Sequence, residues 1–178
     1  PHIGIVGITG SGKSYLVKTF ITRASLIWNT NAVILDWVGE YSTWVKQAGG
    51  HIIDLSKEKL NILDLSGIGV DQRVRQIMSA FDLLLNLSSY PNARYDVEDA
   101  LDAVYELKRA PTIEDVFNYL KKNKKHKAEH IIHGLLKSGS NFFSGKSSIS
   151  IDKIITSGLV SIDLHNLPTE ELRSLAGL

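Results

Sequence analysis

The sequence predicts an α/β domain with a mostly parallel sheet, interrupted by an inserted helical subdomain. Three observations lead there. Short apolar, β-branched runs stand near both ends of the chain, the composition expected of strands buried on both faces of a parallel sheet. A glycine-rich segment joins the first of these runs to a helical pattern. Between the terminal groups of strands, the periodicity is helical throughout.

The elements follow in order. His2-Ile3-Gly4-Ile5-Val6-Gly7 reads as a strand running into a loop, and residues 14–25 carry Leu16, Val17, Phe20 and Ile21 at helical spacing. Ala32-Val33-Ile34-Leu35-Asp36 reads as a second strand and His51-Ile52-Ile53-Asp54 as a short third. Helices are predicted over 70–87, 95–107 and 113–120. The last of these opens on Pro111-Thr112 with Asp115 three residues on, a capping box in which hydroxyl and acid each satisfy an exposed end amide. After Gly134 the pattern breaks into Ser/Gly/Asn-rich turns. Two β-like runs follow, 149–155 and 159–164, and then a short helix after Pro168-Thr169. The core is thus assigned to 1–66 and 146–178 and the helical insertion to 67–145.

Composition narrows the class. Of 178 residues, 43% are hydrophobic and 22% charged, with 14 Gly and 4 Pro, which excludes collagenous and disordered chains. The absence of cysteine excludes disulfide frameworks, zinc ribbons and thiol nucleophiles. No run approaches the roughly 20 apolar residues that span a bilayer, so the chain reads as soluble. Its only methionine is Met78 and its first residue is Pro1, so a processed form or excised piece is expected.

Gly7-Ile8-Thr9-Gly10-Ser11-Gly12-Lys13-Ser14 satisfies G-x-x-x-x-G-K-[ST], the Walker A or P-loop pattern. Its glycines let the backbone turn tightly, so that successive N–H groups point inward as an anion nest at the start of a helix. Lys13 can reach the β- and γ-phosphates, and the Ser14 hydroxyl can sit on Mg²⁺. The candidate nucleotide contacts are Thr9, Gly10, Ser11, Gly12, Lys13, Ser14 and Tyr15, with Ser14 as the Mg²⁺ ligand. A guanine-reading N-K-x-D is missing, since Asn123-Lys124-Lys125-His126 lacks the acid, and this points to ATP.

Hydrolysis on such a loop needs an acid that holds Mg²⁺ through water and a polar group that orients the attacking water. Asp36 and Asp163 end apolar strands, where α/β sheets place ligands. Either can instead cap a loop amide. Glu40, in Asp36-Trp37-Val38-Gly39-Glu40-Tyr41, puts a second carboxylate just past the strand. Lys13, Asp36 and Glu40 are the catalytic candidates.

Together, G-I-T-G-S-G-K-S at 7–14 and D-W-V-G-E-Y at 36–41 resemble the HerA/FtsK superfamily of DNA-pumping ATPases. Gly49-Gly50-His51-Ile52-Ile53-Asp54-Leu55, followed by Leu60-Asn61-Ile62-Leu63-Asp64-Leu65, resembles the glycine-led strand and N-P-L-D turn of conjugative type IV secretion ATPases, with Ile62 in place of their proline. Asn141-Phe142-Phe143-Ser144-Gly145 and Ile162-Asp163-Leu164-His165-Asn166-Leu167-Pro168 look like their later segments, so the similarity runs along nearly the whole chain. The resemblance implies a RecA-like core, ATP and Mg²⁺ as cofactors, a homo-hexameric ring, and double- or single-stranded DNA as partner. It also implies a membrane channel or nuclease alongside, no small-molecule substrate beyond ATP, and a cytoplasmic place at the inner face of a membrane through parts outside this chain. In that family the segment around Asp163 precedes a Walker B strand, an arginine finger and a glutamine-type sensor. Asp163 is then structural, and feeble hydrolysis is expected of these residues alone.

Charge is near balance at +1, so a polyanion site would have to be local. Residues 121–137 hold six lysines against Glu129, and residues 96–115 hold seven acids against Lys108 and Arg109. The lysines read as a DNA-phosphate track or, preferentially, as a solvated helix end paired with the acids. His130 and His133 sit at helical spacing but lack a third metal ligand, and Trp28, Trp37 and Trp44 read as gap-fillers. The leading expectation is the ATPase core of a DNA-translocating motor. The rivals are a small P-loop kinase acting on a metabolite, although its arginines form no cluster, and a non-catalytic nucleotide-binding assembly module.

Overall fold

The computed structural model describes residues 2–138, 145–148, 154 and 156–176. The chain runs α1 (Lys13–Trp28), β1 (Ala32–Asp36), α2 (Ser42–Gln47), β2 (His51–Asp54), α3 (Val70–Leu84), α4 (Pro91–Leu107), α5 (Ile113–Lys122), α6 (His126–Ser138), β3 (Leu159–Asp163) and α7 (Glu170–Ala176). A single 3-10 turn, Leu87–Ser89, joins α3 to α4. The run 149–155 lies outside the described residues except for Ile154, and Asn141, Phe142, Phe143 and Ser144 lie outside them altogether.

The three strands form one parallel sheet in the order β1-β3-β2. The last strand in sequence is therefore the middle one in space. Its Val160, Ser161 and Asp163 are buried, as a continuous apolar run flanked on both edges requires. Behind it, Gly50 comes so close to the chain that a Cβ would lie 2.5 Å from the Leu159 carbonyl oxygen and 2.8 Å from Val45 Cγ1. This close approach lets α2 and β2 pack against β3.

Two expectations are corrected at the other edge. Residues 2–7 form no strand, and Ile3 and Val6 are exposed; an apolar run becomes a strand only where a neighbour supplies the hydrogen-bond ladder. β1 is not buried on both faces either. Val33 and Leu35 face a cleft of about 1220 Å³, whose far wall includes Ile77 and Phe81 of α3.

Helices α3 to α6 close on themselves. Val74, Ile77, Met78 and Phe81 of α3 pack with Val97, Ala100, Leu101 and Val104 of α4, Ile113, Val116 and Leu120 of α5, and Ala128, Ile132 and Leu135 of α6. Each set repeats at three and four residues, the stripe an amphipathic helix presents. The same core takes in Leu164, Leu172 and Leu175 from the end of the chain. Arg94 ties α4 to α3 through Nε, 3.1 Å from both oxygens of Asp82, and reaches Glu98 at 3.2 Å.

The capping box forms, with Asp115 Oδ2 accepting from the Thr112 amide at 2.9 Å. Asn61 anchors the segment after β2: its Nδ2 donates to the Pro111 carbonyl at 2.8 Å and its Oδ1 accepts from the Leu63 amide. The Tyr105 hydroxyl donates to the Leu63 carbonyl at 2.6 Å, and burial raises the phenol to about 12.

Candidate functional site

The glycine-rich loop stands at the amino end of α1. Gly10 and Gly12 have φ of 82° and 86°, the left-handed region open to glycine, and the Ser11 amide donates to the Ile8 carbonyl to close the turn. Thr9, Gly10, Ser11, Gly12 and Tyr15 are exposed, while Lys13 and Ser14 are half-buried. Lys13 Nζ donates to the carbonyls of Gly7 and Ile8, both at 2.8 Å, so its charge lies across the mouth of the loop.

Glu40 is brought to this loop from 26 residues away. Its Oε1 accepts from Ser14 Oγ at 2.9 Å, and its backbone carbonyl accepts from Lys18 Nζ at 3.0 Å. The same ammonium lies 5.2 Å from the centre of the Tyr41 ring. Ser14 and Lys18 are one helical turn apart on α1, so one face of that helix grips the 36–41 loop at two points.

Asp36 does not point outward beside Glu40. It is 1% exposed, and its two oxygens accept from the amides of Gly39 (2.8 Å), Glu40 (3.2 Å) and Tyr41 (2.8 Å). This is the geometry of the amide-capping alternative, with Asp36 shaping the turn that carries Glu40.

Strand register explains why this recurs. Asp36 and Asp54 both align with Asp163, so three parallel strands end level, each in an aspartate. Each caps its own exit turn, where backbone amides have left the ladder. Asp54 Oδ1 accepts from the Ser56 amide and hydroxyl, and its Oδ2 meets Lys57 Nζ at 2.9 Å. Burial pushes the Asp54 carboxyl up, but these hydrogen bonds outweigh it and hold the group below its ordinary value. Asp163 Oδ1 accepts from the His165 amide at 3.0 Å and from its Nδ1 at 2.5 Å, and Oδ2 accepts from Ser42 Oγ at 3.4 Å.

His165, Lys18 and Ser42 were not singled out by sequence reasoning. Lys18 had a readable signal in its four-residue spacing from Ser14; His165 and Ser42 had none, because they reach the loop only through the sheet.

The other candidates are dispersed. Lys125 pairs with Asp96 at 2.8 Å, Lys127 Nζ sits 4.1 Å from the Tyr90 ring centre, and Lys121 lies over Phe117. Lys122, Lys124 and Lys137 are exposed. His133 stacks on Phe117 with ring centres 5.5 Å apart. Among the described residues, no three His, Cys, Asp or Glu side chains are placed to share a metal ion, and no helix is long and apolar enough to cross a membrane.

Comparison with known proteins agrees with this architecture. The chain is 23% identical over 181 residues to the DNA import protein CedB of Sulfolobus acidocaldarius, covering 98% of this chain and 30% of that protein. The structure of VirB4 of Thermoanaerobacter pseudethanolicus superposes with a TM-score of 0.75 at 19% identity, over 94% of this chain and 50% of that one. This chain therefore spans less than a third of the curated relative and half of the solved one, and shares the latter's α/β fold. The family described as "Helicase HerA, central domain" matches residues 1–178, and the chain therefore belongs to it.

Proposed function

We propose that this domain binds ATP with Mg²⁺ on the loop at residues 7–14 and hydrolyses it as part of a motor that moves DNA. The observation that carries the reading is the hydrogen bond between Ser14 Oγ and Glu40 Oε1. A hydroxyl at the start of a helix and a carboxylate just past a neighbouring strand meet beside a lysine, and two hard oxygen donors are what Mg²⁺ takes alongside phosphate. Bound there, Mg²⁺ neutralises phosphate charge and polarises the group to be cleaved.

The chain's own residues supply the rest. The left-handed Gly10 and Gly12 turn backbone amides toward an anion, with Thr9, Ser11 and Tyr15 around them. Lys13 exchanges the Gly7 and Ile8 carbonyls for phosphate oxygens, a stronger, charge-assisted pairing. Ser14 and Glu40, now hydrogen-bonded to each other, are the residues that would hold the metal, and Glu40 would be the carboxylate placed to hold a water beside the loop. Asp36 acts one step back by fixing the turn that carries Glu40. DNA as the load is supported by family membership and by the import role in the name of CedB. A homo-hexameric ring, a channel or nuclease partner and a place at the inner face of a membrane are part of the same proposal.

Lys13→Ala tests it. ATP hydrolysis by the full-length protein is expected to fall at least about a hundredfold, the scale of losing one charge-stabilising group. DNA is expected to stimulate the unsubstituted protein. Unchanged hydrolysis in Lys13→Ala would overturn the ATPase reading, and phosphate transfer to a metabolite without DNA stimulation would put a kinase in its place.

A further inference from the structure

The structure assigns a positioning role to His165: held by Asp163, its imidazole backs the turn that presents Glu40 to Ser14. The inference rests on the ATPase reading above, because Glu40 matters there as the carboxylate nearest the loop.

The turn at 36–41 is held from two sides. Inside it, the Asp36 carboxylate takes three successive amides. Outside it lies His165. A Cβ built on Gly39 would sit 2.8 Å from Nδ1 and 3.0 Å from both Cε1 and Cγ, so the imidazole lies against the Gly39 Cα with no space between them. Gly39 also has φ of 82°, so glycine is required there both for conformation and for the approach of the ring.

The ring is itself fixed. A carboxylate only accepts, so Nδ1 is the donor to Asp163 Oδ1, and the His165 amide donates to the same oxygen. Asp163 is 6% exposed at the end of the central strand, and its other oxygen takes Ser42 Oγ from the first turn of α2. One side chain thus links the exit of β3, the start of α2 and, through the imidazole, the Gly39-Glu40 peptide. Glu40 then meets α1 through Ser14 and Lys18. Contact passes unbroken from the middle of the sheet to the loop, and every link except Gly39 is polar.

A carboxylate that must change partners from a hydroxyl to a metal-bound or attacking water needs a backbone that stays where it is. Misplacement by about 1 Å costs up to about a hundredfold in rate. His165 is half-exposed and contributes little buried apolar surface, so its removal is expected to affect placement of the turn more than stability of the fold.

The test compares His165→Ala and His165→Asn in the full-length protein. Asparagine keeps an N–H donor near the place of Nδ1. His165→Ala is expected to lower kcat on the order of tenfold while the dissociation constant for a fluorescent ATP analogue stays within about twofold. His165→Asn is expected to recover most of the rate. A second readout needs no nucleotide: amide exchange at Gly39, Glu40 and Tyr41 is expected to quicken in His165→Ala, with the amides of β1 unchanged. Unaltered kcat and exchange would overturn the inference. So would a rate loss matched by lost ATP affinity or by loss of the folded thermal transition. Absence of ATP hydrolysis by the unsubstituted protein, or insensitivity to Lys13→Ala, would bring down the ATPase reading instead; the exchange experiment would still decide whether His165 holds the turn.

Discussion

The helical block and the loop-bearing edge contain similar proportions of apolar residues and use them in opposite ways. In α3 to α6 nearly every periodic apolar residue is buried, and the stripes close on one another. In α1 only Ala24 is fully buried; Leu26 is 81% exposed, and Phe20, Ile27 and Trp28 are each more than half exposed. Val33 and Leu35 of β1, and Ile3 and Val6 before the loop, are exposed as well. The stripes of the block share one core with Leu55, Leu63 and Leu164, whereas much of the apolar surface of the loop-bearing edge lies exposed.

Core truncation in the block should show the largest effect. Phe81 is fully buried, and Phe81→Ala is expected to cost about 3–5 kcal/mol in denaturant unfolding, the usual loss for a large aromatic removed from a packed core. A cost below about 1 kcal/mol would show that the block is less closed than its contacts indicate. Thr112→Ala sharpens the same side at a smaller scale. Removing the cap of α5 is expected to cost about 1 kcal/mol.

The partner acid carries a pH signature. Burial pushes the Asp115 carboxyl up, but hydrogen bonds from Lys108 and Thr112 outweigh it and leave the group below its ordinary value of 3.8. A carboxyl depressed by folding contributes stability that is present above its unfolded value and lost as pH falls through the lower folded value. Wild type is therefore expected to lose this contribution on acidification below about pH 3.8, and Asp115→Asn to lack that step in a pH series of unfolding midpoints.

The smallest change is expected on the open side. Leu26→Ser with Trp28→Ser should shift the unfolding free energy of these residues by no more than about 0.5 kcal/mol, as for other surface substitutions. The same pair should reduce binding of a hydrophobic dye. A large loss of stability in the isolated domain would erase the contrast.

What could be read from sequence divides along the same line. The helices read over 70–87, 95–107 and 113–120, the capping box, and the strands read at Ala32–Asp36, His51–Asp54 and 159–164 were legible to within a few residues, because each is set by spacing or by a local hydrogen bond. The expected strand at 2–7 was not, because pairing needs a neighbour that composition does not reveal. Asp36 illustrates the limit at the site. A carboxylate closing an apolar run suits a metal or a turn equally well until its burial and its three amides are seen. His165 lies further out of reach, since its contact with Gly39 spans 126 positions and exists only because β3 enters the sheet beside β1.

That late entry of β3 bears on how the chain is made. Among the described residues, β1 and β2 share no ladder, and each pairs with Leu159–Asp163 alone. In chain order β1 and β2 precede the helical block, and the strand that joins them follows it. The sheet therefore cannot close, and the Glu40 turn cannot gain its imidazole backing, before the five-residue strand Leu159–Asp163 and His165 have been made.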